Sequence, residues 1–410
     1  MGVHFTGVHF TGVGIELVPL LPLSLLLRRR EFNSQGLGAG AWAGPGPAMV
    51  RPRPGEGPGR AFRALAEWRG RRWERAGGGA ASEVVEAGVE APAGGAGRGP
   101  LRVFVFPGNP GCAAYYRDFV VGLEALLRER LGSAGARVAA VGHLGHAERD
   151  RWPGQGPFSM EEQIRHKVDF VRGALRGEEG PVALVGHSIG AYIALECMRR
   201  LETPGSGGEE RVPVAKVVGQ MPYLEFDPEA SEQRWLDRVT RPRLAPRLLG
   251  STAYLFRCFP GDSLARLLYL TQPGRAEGSY LSREAAGLTA ELGRSPAFIE
   301  NAFHMGQTEF QELRRELDWD WMAARGKEGR LHFAFAPGDH WAPMRLHNEM
   351  KARGLPSVAC LEGLSHGYPT CPRQNAEMVR YTADCLAPEE LQAHPRGGGG
   401  QPRTGSAAAS

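Results

Sequence analysis

The chain has 410 residues, room for one large or two ordinary domains, and a formal net charge of only +4, which gives no charge-based case for a nucleic-acid partner. Its six cysteines (Cys112, Cys197, Cys258, Cys360, Cys371 and Cys385) are scattered without a Cys-x-x-Cys pair, the pattern of reduced thiols in an intracellular protein. No uninterrupted apolar run reaches the length of a membrane span.

Residues 1–65 read as a disordered or targeting extension. Gly2-Val3-His4-Phe5-Thr6 repeats at once as Gly7-Val8-His9-Phe10-Thr11. The apolar stretch from Ile15 to Leu27 is short, contains Pro19 and Pro22, and is followed by Arg28-Arg29-Arg30. A secretory signal carries its positive charge ahead of the apolar run, so this order argues against one. A basic, acid-poor stretch is compatible with an organelle transit peptide; a shorter chain starting at Met49 is the alternative. Gly36 to Gly59 is rich in Gly, Pro and Ala and cannot bury a core. Residues 391–410, with Gly397-Gly398-Gly399-Gly400, read as a similar disordered tail.

One domain is expected over 66–390, with order beginning near Trp68. Arg71-Arg72-Trp73-Glu74-Arg75, a Gly run, and Ser82-Glu83-Val84-Val85-Glu86-Ala87 predict a β-hairpin. Leu101-Arg102-Val103-Phe104-Val105-Phe106 predicts a strand that ends at Pro107-Gly108-Asn109-Pro110-Gly111. A helix from Tyr116 to Leu131, a strand from Arg137 to Val141, the loop Gly142-His143-Leu144-Gly145-His146 and a helix from Met160 to Arg176 follow. Strands are expected at Val182–Val185, Val214–Gln220, Leu331–Ala336 and Val358–Leu361, with a closing helix from Gln374 to Cys385. Residues 222–328 interrupt the strands with a mostly helical insert. Strands alternating with helices imply a mostly parallel sheet covered on both faces, with ligands at the carboxyl ends of its strands.

The pattern centres on Val182-Ala183-Leu184-Val185-Gly186-His187-Ser188-Ile189-Gly190-Ala191. A buried strand, a Gly-x-Ser-x-Gly turn and a helix make the context of a nucleophile elbow. Glycines at 186 and 190 let the turn be sharp, and the positive end of the following helix lies beneath the serine. A serine hydroxyl needs a base. In the order Ser, Asp, His, the strand ending at Ala336 runs into Pro337-Gly338-Asp339-His340-Trp341, and the strand ending at Leu361 runs into Leu364-Ser365-His366-Gly367. Ser188 as nucleophile, Asp339 as acid and His366 as base therefore fall at one edge of the sheet, with Asp339 orienting the imidazole.

Other residues compete for these roles. His340 shares the loop of Asp339 and cannot easily point at the same centre. Asp318 and Asp320 sit at a Trp-rich helix end and read as surface carboxylates. His187 is expected to pack beneath the turn, and His166 to be a satisfied structural histidine. His143 and His146 follow a strand end and are candidates for substrate binding, with a structural role as the alternative. Two backbone N–H groups are needed for an oxyanion: one from Ile189, the other from the loop after the early strand. Pro110 lacks an N–H, so Asn109 is the donor to expect, with Gly108 second. No His, Cys and carboxylate grouping has metal spacing, and no Gly-rich loop has the phosphate-binding pattern, so no metal or cofactor is expected.

These residues carry a resemblance. Pro-Gly-Asn-Pro-Gly after the early strand, Gly-His-Ser-Ile-Gly at the elbow and the Gly-Asp-His-Trp and Ser-His segments resemble the lipid droplet-associated hydrolase family of the α/β-hydrolase superfamily. Gly145-His146-Ala147, Gln163-Ile164-x-His166-Lys167 and the surroundings of Asn301-Ala302 match as well. The likeness runs from about Trp73 to Cys385. It implies an α/β-hydrolase fold and a serine hydrolase on lipid esters, acyl or sterol, at the lipid droplet surface, with Ser188, Asp339 and His366 as its triad. A cytoplasmic and endoplasmic reticulum-associated pool fits the same implication, whereas the long Gly/Arg-rich N-terminus departs from the family pattern.

The insert is apolar with basic punctuation from Leu244 to Leu270. Aromatic and Arg residues around Leu-rich runs suit a lipid monolayer, where stems are buried and tips stay wet. Pro246 and Pro260 favour a hairpin or short helices over a span, and the competing reading is an ordinary helical cap over the sheet. Two functions stand: a serine ester hydrolase, or a non-catalytic droplet-surface scaffold that retains the fold.

Overall fold

A computed structural model describes residues 63–69, 81–88, 99–132, 135–146, 156–176, 180–203, 211–271 and 281–387. The expectations for residues 1–62, for 388–410 and for Arg71–Arg75 lie outside them. The described strands are β1 (Arg63–Arg69), β2 (Ala81–Gly88), β3 (Leu101–Phe106), β4 (Ala136–Val141), β5 (Val182–His187), β6 (Val214–Gln220), β7 (Leu331–Phe335) and β8 (Val358–Cys360). They form one sheet in the order β1-β2-β4-β3-β5-β6-β7-β8. The pairs from β4 to β8 are parallel, while β1 and β2 add an antiparallel edge. The hairpin is present, but its first arm is Arg63–Arg69, ahead of the Arg71–Arg75 run and starting within the stretch read as an extension to residue 65. The Gly-rich segment between the arms gives no pattern by which a sequence reading could set the register.

Every residue of β3 and of β5 is buried. Successive strand residues point to opposite faces, so burial throughout requires cover on both. Helices α1 (Arg117–Leu131) and α12 (Pro372–Leu386) pack together, as do α2 (Met160–Ala174) and α3 (Ile189–Glu202). α2 starts at a reciprocal cap, in which Ser159 accepts from the Glu162 N–H and Glu162 accepts from the Ser159 N–H. The parallel register aligns the strand ends: Phe106 lies opposite Gly186, His187 opposite Gln220, Gln220 opposite Ala334, and Phe335 opposite Cys360. The loops after β3, β5, β7 and β8 consequently share one edge.

The insert between β6 and β7 is helical, as expected. It comprises α4 (Ser231–Thr240), α5 (Ala245–Ser251), α6 (Ala253–Arg257), α7 (Gly261–Thr271), α8 (Arg283–Leu292), α9 (Pro296–Glu312) and α10 (Trp319–Lys327), with α11 (Met344–Ala352) following β7. The stretch around Pro246 and Pro260 folds as the short helices α5, α6 and α7, and among the described residues no helix is long and apolar enough to cross a membrane. Leu244, Leu248, Tyr254, Leu255, Phe259, Leu267 and Leu270 are exposed, and α7 has no buried residue. Leu249, Phe256, Leu264 and Leu268 are half-buried, with Leu249 and Leu268 packed against the core. The apolar run thus splits into an inward and an outward set, which hydrophobic periodicity over such short helices does not resolve.

Candidate active site

Ser188 stands between β5 and α3 with φ 55° and ψ −125°, a conformation that is sparsely populated outside glycine and is held only where its surroundings fix it. The Ser188 N–H donates to the Gln220 carbonyl (2.9 Å), and the Ser188 carbonyl accepts from Ala191 (3.0 Å) and Tyr223 (3.1 Å). A serine at a helix start usually caps it with its hydroxyl; here the side chain makes no cap bond, which leaves the oxygen for chemistry. The flanking glycines are steric requirements. A Cβ at Gly190 would lie 2.1 Å from the Phe106 carbonyl oxygen, and one at Gly186 would lie 2.2 Å from that of Gly190. Gly190→Ala is therefore expected to cost about 3 kcal/mol, the upper end of the overpacking range, because the obstacle is backbone of a central strand. Chemical denaturation of the purified variant measures it, and an unchanged midpoint and slope would contradict the steric reading.

The loops after β7 and β8 bring Asp339 and His366 together: His366 Nδ1 lies 2.7 Å from Asp339 Oδ2. Asp339 Oδ1 accepts from the N–H groups of Trp341 (2.9 Å) and Ala342 (3.1 Å), which fixes the carboxylate. Burial alone would raise the Asp339 carboxyl; the charge and hydrogen bond of His366 and the two backbone donors outweigh it and hold it below the ordinary carboxylate value. The His366 ring packs 4.9 Å from that of His187, the residue before Ser188. The competing acids stay apart: Asp318 caps α10 by accepting from Trp321 and pairs with Arg199 at the surface (2.9 Å), and Asp320 lies in the first turn of the same helix.

On the loop after β3, Tyr116 enters the site unannounced by any local motif. Its hydroxyl accepts the Gly108 N–H (3.0 Å) and lies within hydrogen-bonding distance, 2.6 Å, of His187 Nδ1. Burial, then the charge of His366, pushes His187 well down, so the ring is neutral and can accept. Gly108 is thereby spent as a donor. The N–H groups of Ile189 and Asn109 have no acceptor among the described hydrogen bonds. The Asn109 side chain is clamped instead: its Nδ2 donates to the Ala302 carbonyl (2.9 Å) and to Glu309 Oε1 (3.0 Å), both on α9. Glu309 is buried, and burial pushes its carboxyl up to about 8.

His143 and His146 are not where the expectation of substrate contact puts them. Each is 1% exposed and packs against Gly111 of the loop after β3. His146 Nδ1 accepts the Gly111 N–H (2.8 Å), and a Cβ at Gly111 would lie 2.0 Å from His143 Cδ2. Burial, then Lys167, pushes His146 down to about 3, so it is neutral and serves as a buttress. His166 is the satisfied structural histidine expected, 3.0 Å from both Ser82 Oγ and Lys167 Nζ. Lys167 is fully buried, donates to the Gly142 carbonyl (2.7 Å), and is pushed down by burial to about 7.

Comparison with known proteins places the chain among relatives and folds. The lipid droplet-associated hydrolase of Gallus gallus is 25% identical over 282 residues, covering 65% of this chain and 79% of that protein. The protein of the same name from Homo sapiens is 24% identical over 307 residues, covering 70% of this chain and 85% of its own. Among solved structures, the peroxisomal alpha-beta-hydrolase Lpx1 of Saccharomyces cerevisiae superposes with a TM-score of 0.52 at 14% identity, covering 82% of this chain and 91% of that one. An epoxide hydrolase from Solanum tuberosum gives 0.51 at 17% identity, with 79% and 99% covered. These likenesses show the α/β-hydrolase fold. The model of the lipid-droplet associated hydrolase family matches residues 99–368, from the strand before the Asn109 loop through the elbow, the cap and Asp339 to His366, and the chain belongs to that family.

Proposed function

We propose that this protein is a serine hydrolase that cleaves lipid esters, acyl or sterol, at the surface of lipid droplets, with Ser188 as nucleophile, His366 as base and Asp339 as orienting acid. Family membership gives the class, a hydrolase associated with lipid droplets. The observation that carries the finer reading is the 2.7 Å contact of His366 with Asp339 beside an elbow serine whose hydroxyl caps nothing. In the first half-reaction Ser188 Oγ attacks the ester carbonyl and His366 takes its proton. The oxyanion forms against the N–H groups of Ile189 and Asn109, and the alcohol leaves with the proton from His366. Water, activated by the same imidazole, then releases the fatty acid. The lipid-surface part of the reading rests on the exposed side chains of α5–α7, with Arg247 and Arg266 also exposed and able to meet head groups.

A fluorophosphonate probe tests the nucleophile directly. The wild-type protein is expected to be labelled and to hydrolyse p-nitrophenyl acyl esters, and Ser188→Ala is expected to lose both while keeping its circular dichroism spectrum. Turnover retained by Ser188→Ala removes Ser188 from the role. An unlabelled, inactive wild-type protein would favour the scaffold reading instead.

A further inference from the structure

The longest described helix of the insert, α9, reaches the loops after β3 and β4 at several points. Asn301 Oδ1 accepts the Phe158 N–H (3.1 Å), and Thr308 Oγ1 accepts the Met160 N–H (2.9 Å). Glycines 145 and 156 are both shaped to Asn301: a Cβ at either would lie within 2.4 or 2.5 Å of it. Nearest the proposed chemistry is the Asn109 clamp. The two hydrogens of Asn109 Nδ2 meet two acceptors, the Ala302 carbonyl and Glu309 Oε1, so the amide cannot turn over without facing oxygen to oxygen. Glu309 is 5% exposed, and among the described residues no cationic side chain pairs with it, so a buried carboxyl sits there at a cost to the fold. A residue kept for packing alone would not need an acceptor at that point. The other side of α9 packs on α5, which carries the exposed Leu248, so one helix joins the outward apolar face to the loop beside Ser188.

We infer that Glu309 is a positioning residue: with the Ala302 carbonyl it locks the Asn109 side chain and so holds the Asn109 backbone N–H where the oxyanion develops. This rests on the serine-hydrolase reading of the site. The oxyanion donor is useful only at hydrogen-bonding distance from the developing charge, and a displacement of about 1 Å can cost about a hundredfold in rate. The cap then contributes to the rate as well as to binding.

The test compares Glu309→Leu, Glu309→Gln and Asn109→Ala in the full-length protein. Glu309→Leu removes the acceptor and is expected to lower kcat on a p-nitrophenyl ester about ten- to a hundredfold, with KM nearly unchanged and the fluorophosphonate labelling rate lowered in parallel. Its fold should be retained, because the gain from replacing a buried carboxyl by an apolar side chain offsets the cost of one Asn109 Nδ2 hydrogen left without its acceptor. Glu309→Gln keeps an oxygen acceptor and should restore kcat to near the wild-type value. Asn109→Ala should show the same loss, and the double variant with Glu309→Leu should be no worse than the poorer single one. Wild-type kcat and labelling in Glu309→Leu would overturn the inference, as would an equal loss in Glu309→Gln. If Glu309→Leu does not fold, wild-type kcat in Asn109→Ala overturns it and the predicted loss supports it. Absence of labelling in the wild-type protein overturns the serine-hydrolase reading and this inference with it; the other failures overturn the inference alone.

Discussion

Asp339→Asn and His366→Ala are each expected to lower kcat by a factor on the order of 10⁴, with the fold retained. Without His366 the Ser188 proton has no acceptor, and only oxyanion stabilisation and binding remain. The asparagine is nearly isosteric, but its amide can donate to Nδ1, which selects the tautomer whose other nitrogen already carries a proton and cannot take one from serine. The carboxylate is well suited to the role, since two backbone N–H donors fix Oδ1 while Oδ2 faces the imidazole at 2.7 Å. Asp318→Asn and Asp320→Asn serve as controls on exposed helix-end carboxylates and should leave kcat nearly unchanged. Steady-state kinetics on one soluble ester decides the matter, and a larger loss from either control than from Asp339→Asn would move the acid.

The parallel sheet explains why so much of the site is legible in one sequence. Strands in register end together, so residues just past Phe106, His187, Phe335 and Cys360 must share an edge, whatever the length of chain between them. Gly186 and Gly190 mark a place where strand and helix backbones nearly touch, and sequence alone conveys that requirement. What cannot be read locally is what crosses the sheet edge from far away. Tyr116 meets His187 over a separation of 71 residues, and Glu309 meets Asn109 over 200; no periodicity or spacing rule links such pairs. His143 and His146 look like pocket residues because they follow a strand end, yet the side chains turn back under the Gly111 loop. Histidines after strands line a site or brace it, and the choice depends on packing that only the fold supplies.

Replacing Leu248, Leu255 and Phe259 together by glutamate is expected to release the protein from lipid droplets, while deleting residues 1–62 leaves it bound. The deletion stops there because β1 begins at Arg63. Leu248 and Leu255 are each 68% exposed and Phe259 58%, so the substitutions face outward and spare the core, whereas Phe256 and Leu268 are half-buried and would confound targeting with stability. Burying a side chain of this size in an apolar phase gains roughly 1.5–3 kcal/mol, so losing three removes on the order of 5–9 kcal/mol of partitioning free energy. That is comparable to the affinity of a single acyl anchor, about 10⁴ M⁻¹, or exceeds it, and the added carboxylates further oppose entry into hydrocarbon. The N-terminal stretch has one short apolar run, from Ile15 to Leu27, and it is interrupted by Pro19 and Pro22. Fluorescent fusions in cells loaded with fatty acid give the readout, and p-nitrophenyl esterase activity of the purified triple variant shows that its fold is intact. If deletion of 1–62 delocalises the fusion and the triple variant remains on droplets, the helices α5–α7 are a cap over the site and no more.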